Sequence, residues 1–135
     1  MKNEKIIKDV LAMARGTLVI DECVKELAQP LSSNIHIIEP IPGEDDKYII
    51  KRLLPNRIIV TKNPKDFKNY ASSYDIGIID LSKLSFIDPL QDGIENKTVN
   101  LISKVLMDFN LWSKRHGFII TLRDNGKHLY RDLTE

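Results

Sequence analysis

Acidic and amide side chains stand at three places where an apolar run ends or a helix is predicted to begin. They are Asp21 and Glu22, Asp45 and Asp46, and Asn63 and Asp66. Carboxylates that are brought together from separate loops repel one another unless a cation lies between them. Hard divalent ions such as Mg²⁺ and Mn²⁺ prefer all-oxygen sites of this kind. The pattern therefore predicts a Mg²⁺ or Mn²⁺ site wherever the fold brings these segments together.

Asp21 is the strongest of these candidates. It directly follows the apolar run TLVI, and a carboxylate that ends a buried strand is partly desolvated and needs partners. Glu22 points to the other side of an extended chain and can face solvent. Each acid of the other segments has a simpler alternative, because Asp is a common N-cap and is favoured in the first turn of a helix.

The elements that must position these side chains alternate along the chain. An amphipathic helix is predicted over about residues 3 to 14, and TLVID then predicts a strand followed by a short helix that Pro30 ends. Further strands are predicted at IHIIE, RIIVT and DIGIID, with helical segments at DDKYIIKRLL and DFKNYASS between them. Strands that are apolar on both faces are typical of parallel sheets, whose ligands bind at the carboxyl edge.

The second half of the chain predicts a surface connection, a long helix and a final hairpin at the edge of this sheet. Residues 81 to 95 have no clear period and predict a surface connection, and residues 99 to 112 predict a long helix closed by SKRHG. Two strands around Asn125-Gly126 then predict a type I′ hairpin. We therefore predict one α/β domain over residues 1–135, with three layers, a mostly parallel central sheet and a C-terminal antiparallel hairpin.

Composition excludes several classes of protein. Twenty basic and nineteen acidic residues leave a net charge of +1, so any contact with nucleic acid must be local. Cys23 is the only cysteine, which excludes an intramolecular disulfide and a cysteine zinc site. The first residues lack the apolar core typical of a signal peptide, and no later stretch is apolar over the length of a membrane span. The glycines form no GxGxxG or phosphate-binding loop, and we expect a cytoplasmic protein without a nucleotide cofactor.

Three short motifs, LVIDECV, GEDDKYII and IIVTKNPKDF, follow one another between residue 17 and about residue 80. Their order resembles the small prokaryotic PIN-like proteins of the DUF5615 type. Members of that family have a strand that ends in Asp-Glu, an Asp that opens a helix, and a strand followed by Thr-x-Asp-x-Asp-Phe. The third motif departs from the pattern, because Asn63 stands where Asp is usual and one extra residue separates it from Asp66.

The resemblance implies a PIN-like, Rossmann-like fold and the cleavage of single-stranded RNA by metal-activated water, often as the toxin of a toxin–antitoxin pair. Asp21, Asp46 and Asp66 would then be the catalytic residues and would hold Mg²⁺ or Mn²⁺. Supporting roles would fall to Glu22, Asp45, Thr61 and Asn63, where the uncharged amide of Asn63 would bind an ion less strongly than Asp. Basic side chains placed to contact RNA phosphates are Lys62, Lys65, Arg123 and Arg131.

Other interpretations stay open. Asp80 ends the run DIGIID and would be the phosphoacceptor of a receiver-like domain, but two predicted strands separate it from Asp21 where such a domain has one. The same fold can also serve as a non-catalytic binding module for a partner such as an antitoxin. A homodimer through the first helix or the final strand edge is a further alternative.

Overall fold

The computed structural model describes residues 17–32, 35–39, 43, 48–49, 53, 58–85, 94–114 and 116–133. The helix predicted over about residues 3 to 14 lies outside the described residues, and so do Asp45 and Asp46. Of the helix predicted at DDKYIIKRLL, the described residues Tyr48, Ile49 and Leu53 are helical.

The centre of the fold is a six-stranded sheet. Its strands are β1 (Leu18–Ile20), β2 (Ile37–Ile38), β3 (Ile58–Thr61), β4 (Gly77–Asp80), β5 (Phe118–Leu122) and β6 (His128–Asp132), in the spatial order β2-β1-β3-β4-β5-β6. The first five strands are parallel, and β6 pairs with β5 in the antiparallel sense. The predicted mostly parallel sheet with a C-terminal antiparallel pair is confirmed.

Helical segments cover both faces of this sheet. A 3-10 helix at Glu22–Leu27 leads into α1 (Ala28–Ser32), α2 is Lys65–Tyr74, α3 is Ile94–Asp108, and a second 3-10 helix is Leu111–Ser113. Apolar residues of α1 and α3 pack with one set of strand side chains, and α2 packs with the other set. None of the helices in the described ranges is long and apolar enough to cross a membrane.

Strand side chains divide between the two faces by simple alternation. In β1, Leu18 and Ile20 join the core under α1 and α3, whereas Val19 joins the core under α2. Each such buried aliphatic side chain contributes about 1.5 to 3 kcal/mol through the hydrophobic effect. Helix α2 also lies close to the start of β5, where a Cβ on Gly117 would come within 2.1 Å of the Ala71 carbonyl oxygen. The position of α2 over the sheet therefore depends on this glycine.

The predicted bounds of two helices were wrong. Pro30 does not end the first short helix, which continues to Ser32, because Pro30 stands in the first turn, where its missing N–H costs no intrahelical bond. The long helix runs over Ile94–Asp108 instead of residues 99 to 112, because Asn110 adopts a left-handed conformation at φ 47° and interrupts it. Trp112 belongs to the 3-10 helix that follows and is half-buried against the core.

The predicted type I′ hairpin was also wrong. That turn needs a positive φ at both central residues, and of the pair Asn125-Gly126 only Gly126 has one, at 78°. The Gly126 amide donates to the Arg123 carbonyl at 3.0 Å, and the Arg123 amide donates to the Lys127 carbonyl at 2.9 Å. These bonds fit the three-residue hairpin loop in which a turn is followed by a left-handed glycine.

Candidate active site

Four polar side chains lie side by side at the carboxyl edge of the parallel sheet. Thr61 ends β3 and is in register with Asp80, which ends β4 and is in register with Thr121 of β5. Asp21 follows the paired residues Ile20 and Val60 and is therefore level with Thr61. Since partners in a parallel register share one face, this polar row of Asp21, Thr61, Asp80 and Thr121 lies on the α2 face of the sheet.

Asp21 is held by hydrogen bonds at both carboxylate oxygens. The Thr61 hydroxyl donates to Asp21 Oδ2 at 2.6 Å, and the Cys23 thiol donates to the same oxygen at 3.2 Å. The Glu22 amide donates to Asp21 Oδ1 at 2.8 Å, so Asp21 is also the N-cap of the 3-10 helix. The predicted need of Asp21 for partners is confirmed, and its carboxylate is oriented by two neighbouring strand ends.

Thr61 connects this carboxylate to the loop that follows β3. It is fully buried, and its hydroxyl oxygen accepts a hydrogen bond from the Asn63 amide at 2.9 Å. The Asp66 amide in turn donates to the Asn63 carbonyl at 3.2 Å. The side chains of Asn63 and Asp66 are both exposed. One hydroxyl thus fixes the Asp21 carboxylate and the start of the segment that carries Asn63 and Asp66.

Cys23 packs against the same strand end. Its sulfur accepts from the Lys62 amide at 3.4 Å and lies 3.7 Å from the Thr61 hydroxyl oxygen. Cys23 is exposed as a residue, and partial burial of its thiol is the largest cause that raises the thiol pKa, which the neighbouring Asp21 carboxylate raises further. The thiol therefore stays protonated at neutral pH and acts as a donor to Asp21.

Asp80 is the most buried carboxylate among the described residues, with 4% of its surface exposed. Its Oδ1 accepts from the Ser82 amide at 2.8 Å, and its Oδ2 accepts from the Thr121 hydroxyl at 3.1 Å. Strand β3 lies between β1 and β4, so Thr61 separates Asp80 from Asp21. Two strands, β2 and β3, also intervene between them along the chain, as the sequence predicted.

Glu22 makes a contact across the edge. Its Oε2 accepts a hydrogen bond from the Gly43 amide at 3.2 Å, although its side chain is exposed. Gly43 precedes Asp45 and Asp46 by two and three residues in the sequence, and these two acids lie outside the described residues. Among the residues that the structure describes, no group of three or more His, Cys, Asp or Glu side chains is arranged to hold a metal ion.

The four predicted RNA-contact residues do not all lie in one place. Lys62, Lys65, Arg123 and Arg131 are all exposed. Lys65 and Arg131 line one pocket with Asp80 and Thr121, whereas Arg123 belongs to the hairpin turn. Thr121 was missed by reasoning from the sequence, although its place at the end of an apolar strand, level with Asp80, is the signal that would have found it.

Comparison of the chain with protein-family models, with curated proteins and with solved structures gave no match.

Proposed function

We propose that this protein is a PIN-like, metal-dependent ribonuclease that cleaves single-stranded RNA, with Asp21 at the centre of its active site. The observation that carries the proposal is the Thr61–Asp21 hydrogen bond of 2.6 Å across two adjacent strands. It joins the acid of the first motif to the segment that holds Asn63 and Asp66. The proposal includes activity as the toxin of a toxin–antitoxin pair.

The oxygen atoms of the described candidate residues suit a hard divalent ion as ligands. Asp21 Oδ1 accepts one hydrogen bond from the described residues, and a carboxylate oxygen has room for a second partner. Asn63 and Asp66 add an amide and a carboxylate oxygen a few residues beyond Thr61. These oxygens fit Mg²⁺ or Mn²⁺, and we include Asp46 as a further ligand on the ground of its sequence motif.

The direction of side chains around α2 supports the inclusion of Asp66 among the proposed metal ligands. Side chains two positions apart on an α-helix point about 200° apart around its axis. Lys68 lines the pocket over β4 and β5, so Asp66 projects from the opposite flank of α2. That flank lies on the side of β3 and β1, where Asp21 stands.

Different side chains of the proposed site would have different roles in hydrolysis. Bound Mg²⁺ or Mn²⁺ lowers the pKa of a water ligand and neutralises charge that builds up on the phosphate. Asp21 would hold the ion, and Thr61 would act as a positioning residue that fixes the Asp21 rotamer. Glu22 or Asp45 would orient the attacking water, and Lys62 would bind a phosphate oxygen. Water adds across one P–O bond, which leaves a phosphate monoester on one product and a hydroxyl group on the other.

The test compares wild-type protein with Asp21→Asn and Asp108→Asn in Mn²⁺ with a labelled single-stranded RNA. Asn remains an effective N-cap, so Asp21→Asn is expected to fold. Asp108 is an exposed acid at the end of α3, and the connection from β4 through α3 to β5 places it at the opposite edge of the sheet. We expect Asp21→Asn to lose cleavage at least a hundredfold and Asp108→Asn to keep it. Equal cleavage by Asp21→Asn and wild type, or none by either, would overturn the proposal.

A second candidate function is a non-catalytic binding module of the same fold. It is favoured by Asn63, which brings no charge to the ion, and by the three hydrogen bonds that already occupy the Asp21 carboxylate. A binding module would show no RNA cleavage in Mn²⁺ with either Asn63 or Asp at this position. RNA cleavage by wild type that increases further with Asn63→Asp would favour the ribonuclease.

A further inference from the structure

A separate pocket opens beside the Asp21 site, over the carboxyl ends of β4 and β5. It has a volume of about 270 Å³ and lies next to the start of α2. Its lining comes from α2, the segment after β4, and the strands β5 and β6. A volume of this size is close to the lower end of the range for small-molecule sites, about 300 to 1,000 Å³.

Four of the lining side chains are cations. They are Lys65, Lys68, Lys83 and Arg131, which come from α2, the segment after β4, and β6. Within the described part of the chain, none of these four forms an ion pair. Like charges that converge on one pocket repel one another and raise the local potential, which attracts an anion. An anionic group of the phosphate type matches this lining, since Lys and Arg are the side chains that bind phosphate.

One of the lining side chains of this pocket, Asp80, is a carboxylate. Asp80 is 96% buried, with one hydrogen bond to each carboxylate oxygen, from the Ser82 amide and the Thr121 hydroxyl. A phosphate placed directly on Asp80 would be repelled. A carboxylate with lone pairs to spare instead accepts a hydrogen bond from a neutral donor such as a sugar hydroxyl. The ligand therefore needs an anionic end toward the cations and a hydroxyl end toward Asp80.

The remaining walls are apolar. Ile119 is buried, whereas Leu129, opposite Thr121 on β6, is 56% exposed at the rim. Pro64 completes this surface at the start of α2. Exposed aliphatic carbon next to a charged pocket can pack against the flat face of a ring. The cations, the buried carboxylate and the apolar rim of the pocket match the phosphate, the sugar hydroxyl and the base of a nucleotide.

We propose that the pocket over β4 and β5 binds one nucleotide unit, with its phosphate on Lys68 and Arg131 and a ribose hydroxyl on Asp80. The choice of RNA as its source rests on the ribonuclease function proposed above, whereas the nucleotide site itself does not. Asp80 and Asp21 are two strand spacings apart in the polar row, roughly 10 Å. The pocket would then hold a nucleotide of the strand that passes the Asp21 site.

The test measures equilibrium binding of AMP and of inorganic phosphate by calorimetry at low salt, with EDTA present so that no metal takes part. We expect wild-type protein to bind AMP more tightly than phosphate. Lys68→Gln with Arg131→Gln should weaken AMP binding roughly tenfold or more, because two charge-assisted contacts are lost. The matched control is Lys25→Gln with Lys104→Gln, which removes the same charge from two exposed lysines that do not line the pocket and should leave AMP binding within twofold.

A second variant tests the role of Asp80 separately. Asp80→Asn removes the negative charge but keeps the shape, so phosphate should bind severalfold more tightly while the preference for AMP over phosphate falls. Unchanged AMP binding in the Lys68 and Arg131 variant, no AMP binding by wild type, or an unchanged preference in Asp80→Asn would each overturn the nucleotide site. Circular dichroism confirms that each variant is folded. These experiments measure binding and not RNA cleavage. A failure of AMP binding would therefore not contradict the ribonuclease proposal, and a failure of RNA cleavage would not contradict the nucleotide site.

Discussion

The Thr61 hydroxyl donates a 2.6 Å hydrogen bond to the Asp21 carboxylate, 40 residues away in the sequence. Thr61 is fully buried at the end of β3, and its oxygen also accepts the Asn63 amide. A single side chain thus orients the central acid of the proposed active site and the loop that carries two further candidates.

Thr61→Val should lower both stability and metal binding. Valine has nearly the same shape but leaves the Asn63 amide without its acceptor and Asp21 Oδ2 without its strongest donor, a loss of about 1 to 3 kcal/mol. Urea unfolding would measure the free energy, and a Mn²⁺ titration the affinity. Thr61→Ser keeps the hydroxyl and should restore metal affinity to near the wild-type value. If Thr61→Val binds Mn²⁺ as wild type does, Thr61 is not a positioning residue.

Asn63→Asp should strengthen binding of Mg²⁺ and Mn²⁺. A carboxylate adds a negative charge where the amide offers only a neutral oxygen, and such ions favour charged oxygen ligands. We expect an affinity gain of roughly tenfold, measured by electron paramagnetic resonance of free Mn²⁺. Asn69→Asp adds the same charge at an exposed position of α2 outside the motif and is the control for overall charge. An affinity unchanged by Asn63→Asp would count against the assignment of residue 63 to the ion.

The Cys23 thiol should report directly on the charge of Asp21. Burial and the neighbouring carboxylate raise the pKa of Cys23, so the chain's only cysteine should react slowly with iodoacetamide at pH 8. Asp21→Asn removes the charge contribution and should increase the alkylation rate at this pH. The full dependence of rate on pH should shift toward lower pH in the variant. A rate profile identical to that of wild type would show that Asp21 does not act on the thiol.

Asp132 should contribute to resistance against acid. The Tyr130 hydroxyl donates to its carboxylate at 2.7 Å, and His116 lies 2.6 Å from the same oxygen. The Tyr130 hydrogen bond is the main cause that lowers the pKa of Asp132 below its ordinary value of 3.8, and His116 lowers it further. A carboxyl group whose pKa is lowered in the folded state stabilises the folded protein at pH values above its ordinary pKa. This contribution to the free energy of unfolding disappears as the pH falls through the folded-state pKa.

Urea unfolding of wild type and Asp132→Asn between pH 2 and 7 tests this dependence. The two midpoints should differ at pH 6 and converge as the pH falls below 3.8, because protonated Asp132 resembles Asn. Asp108→Asn is the control, and its difference from wild type should not follow the same course. A difference between Asp132→Asn and wild type that is constant over the whole range would contradict the assignment.

The sequence was most informative where apolar runs are long and bounded by polar residues. The run Ile58, Ile59 and Val60 predicts a strand covered on both faces, and all three residues are buried in the sheet. Local backbone choices were harder to predict. A left-handed Asn110 ends α3, and Asn125 has no positive φ in the hairpin, since neither conformation follows from residue type alone.

The arrangement of the candidate site could be predicted only in part from the sequence, for a similar reason. Asp21 stands out because it directly ends an apolar strand, and its partners confirm that it needs compensation. The pairing of Asp80 with Thr121, 41 residues apart, depends on strand order and register, which composition and periodicity do not encode. The cationic pocket also depends on tertiary packing, because α2 and β6 bring Lys68 and Arg131 together.

The most direct test of the central claim is the Mn²⁺ affinity of the wild-type protein and of Asp21→Asn, measured by electron paramagnetic resonance with Asp108→Asn as control. We expect saturable binding by wild type and Asp108→Asn, and an affinity at least tenfold lower in Asp21→Asn. Equal Mn²⁺ affinity in all three proteins, or no saturable binding by wild type, would contradict a metal site centred on Asp21.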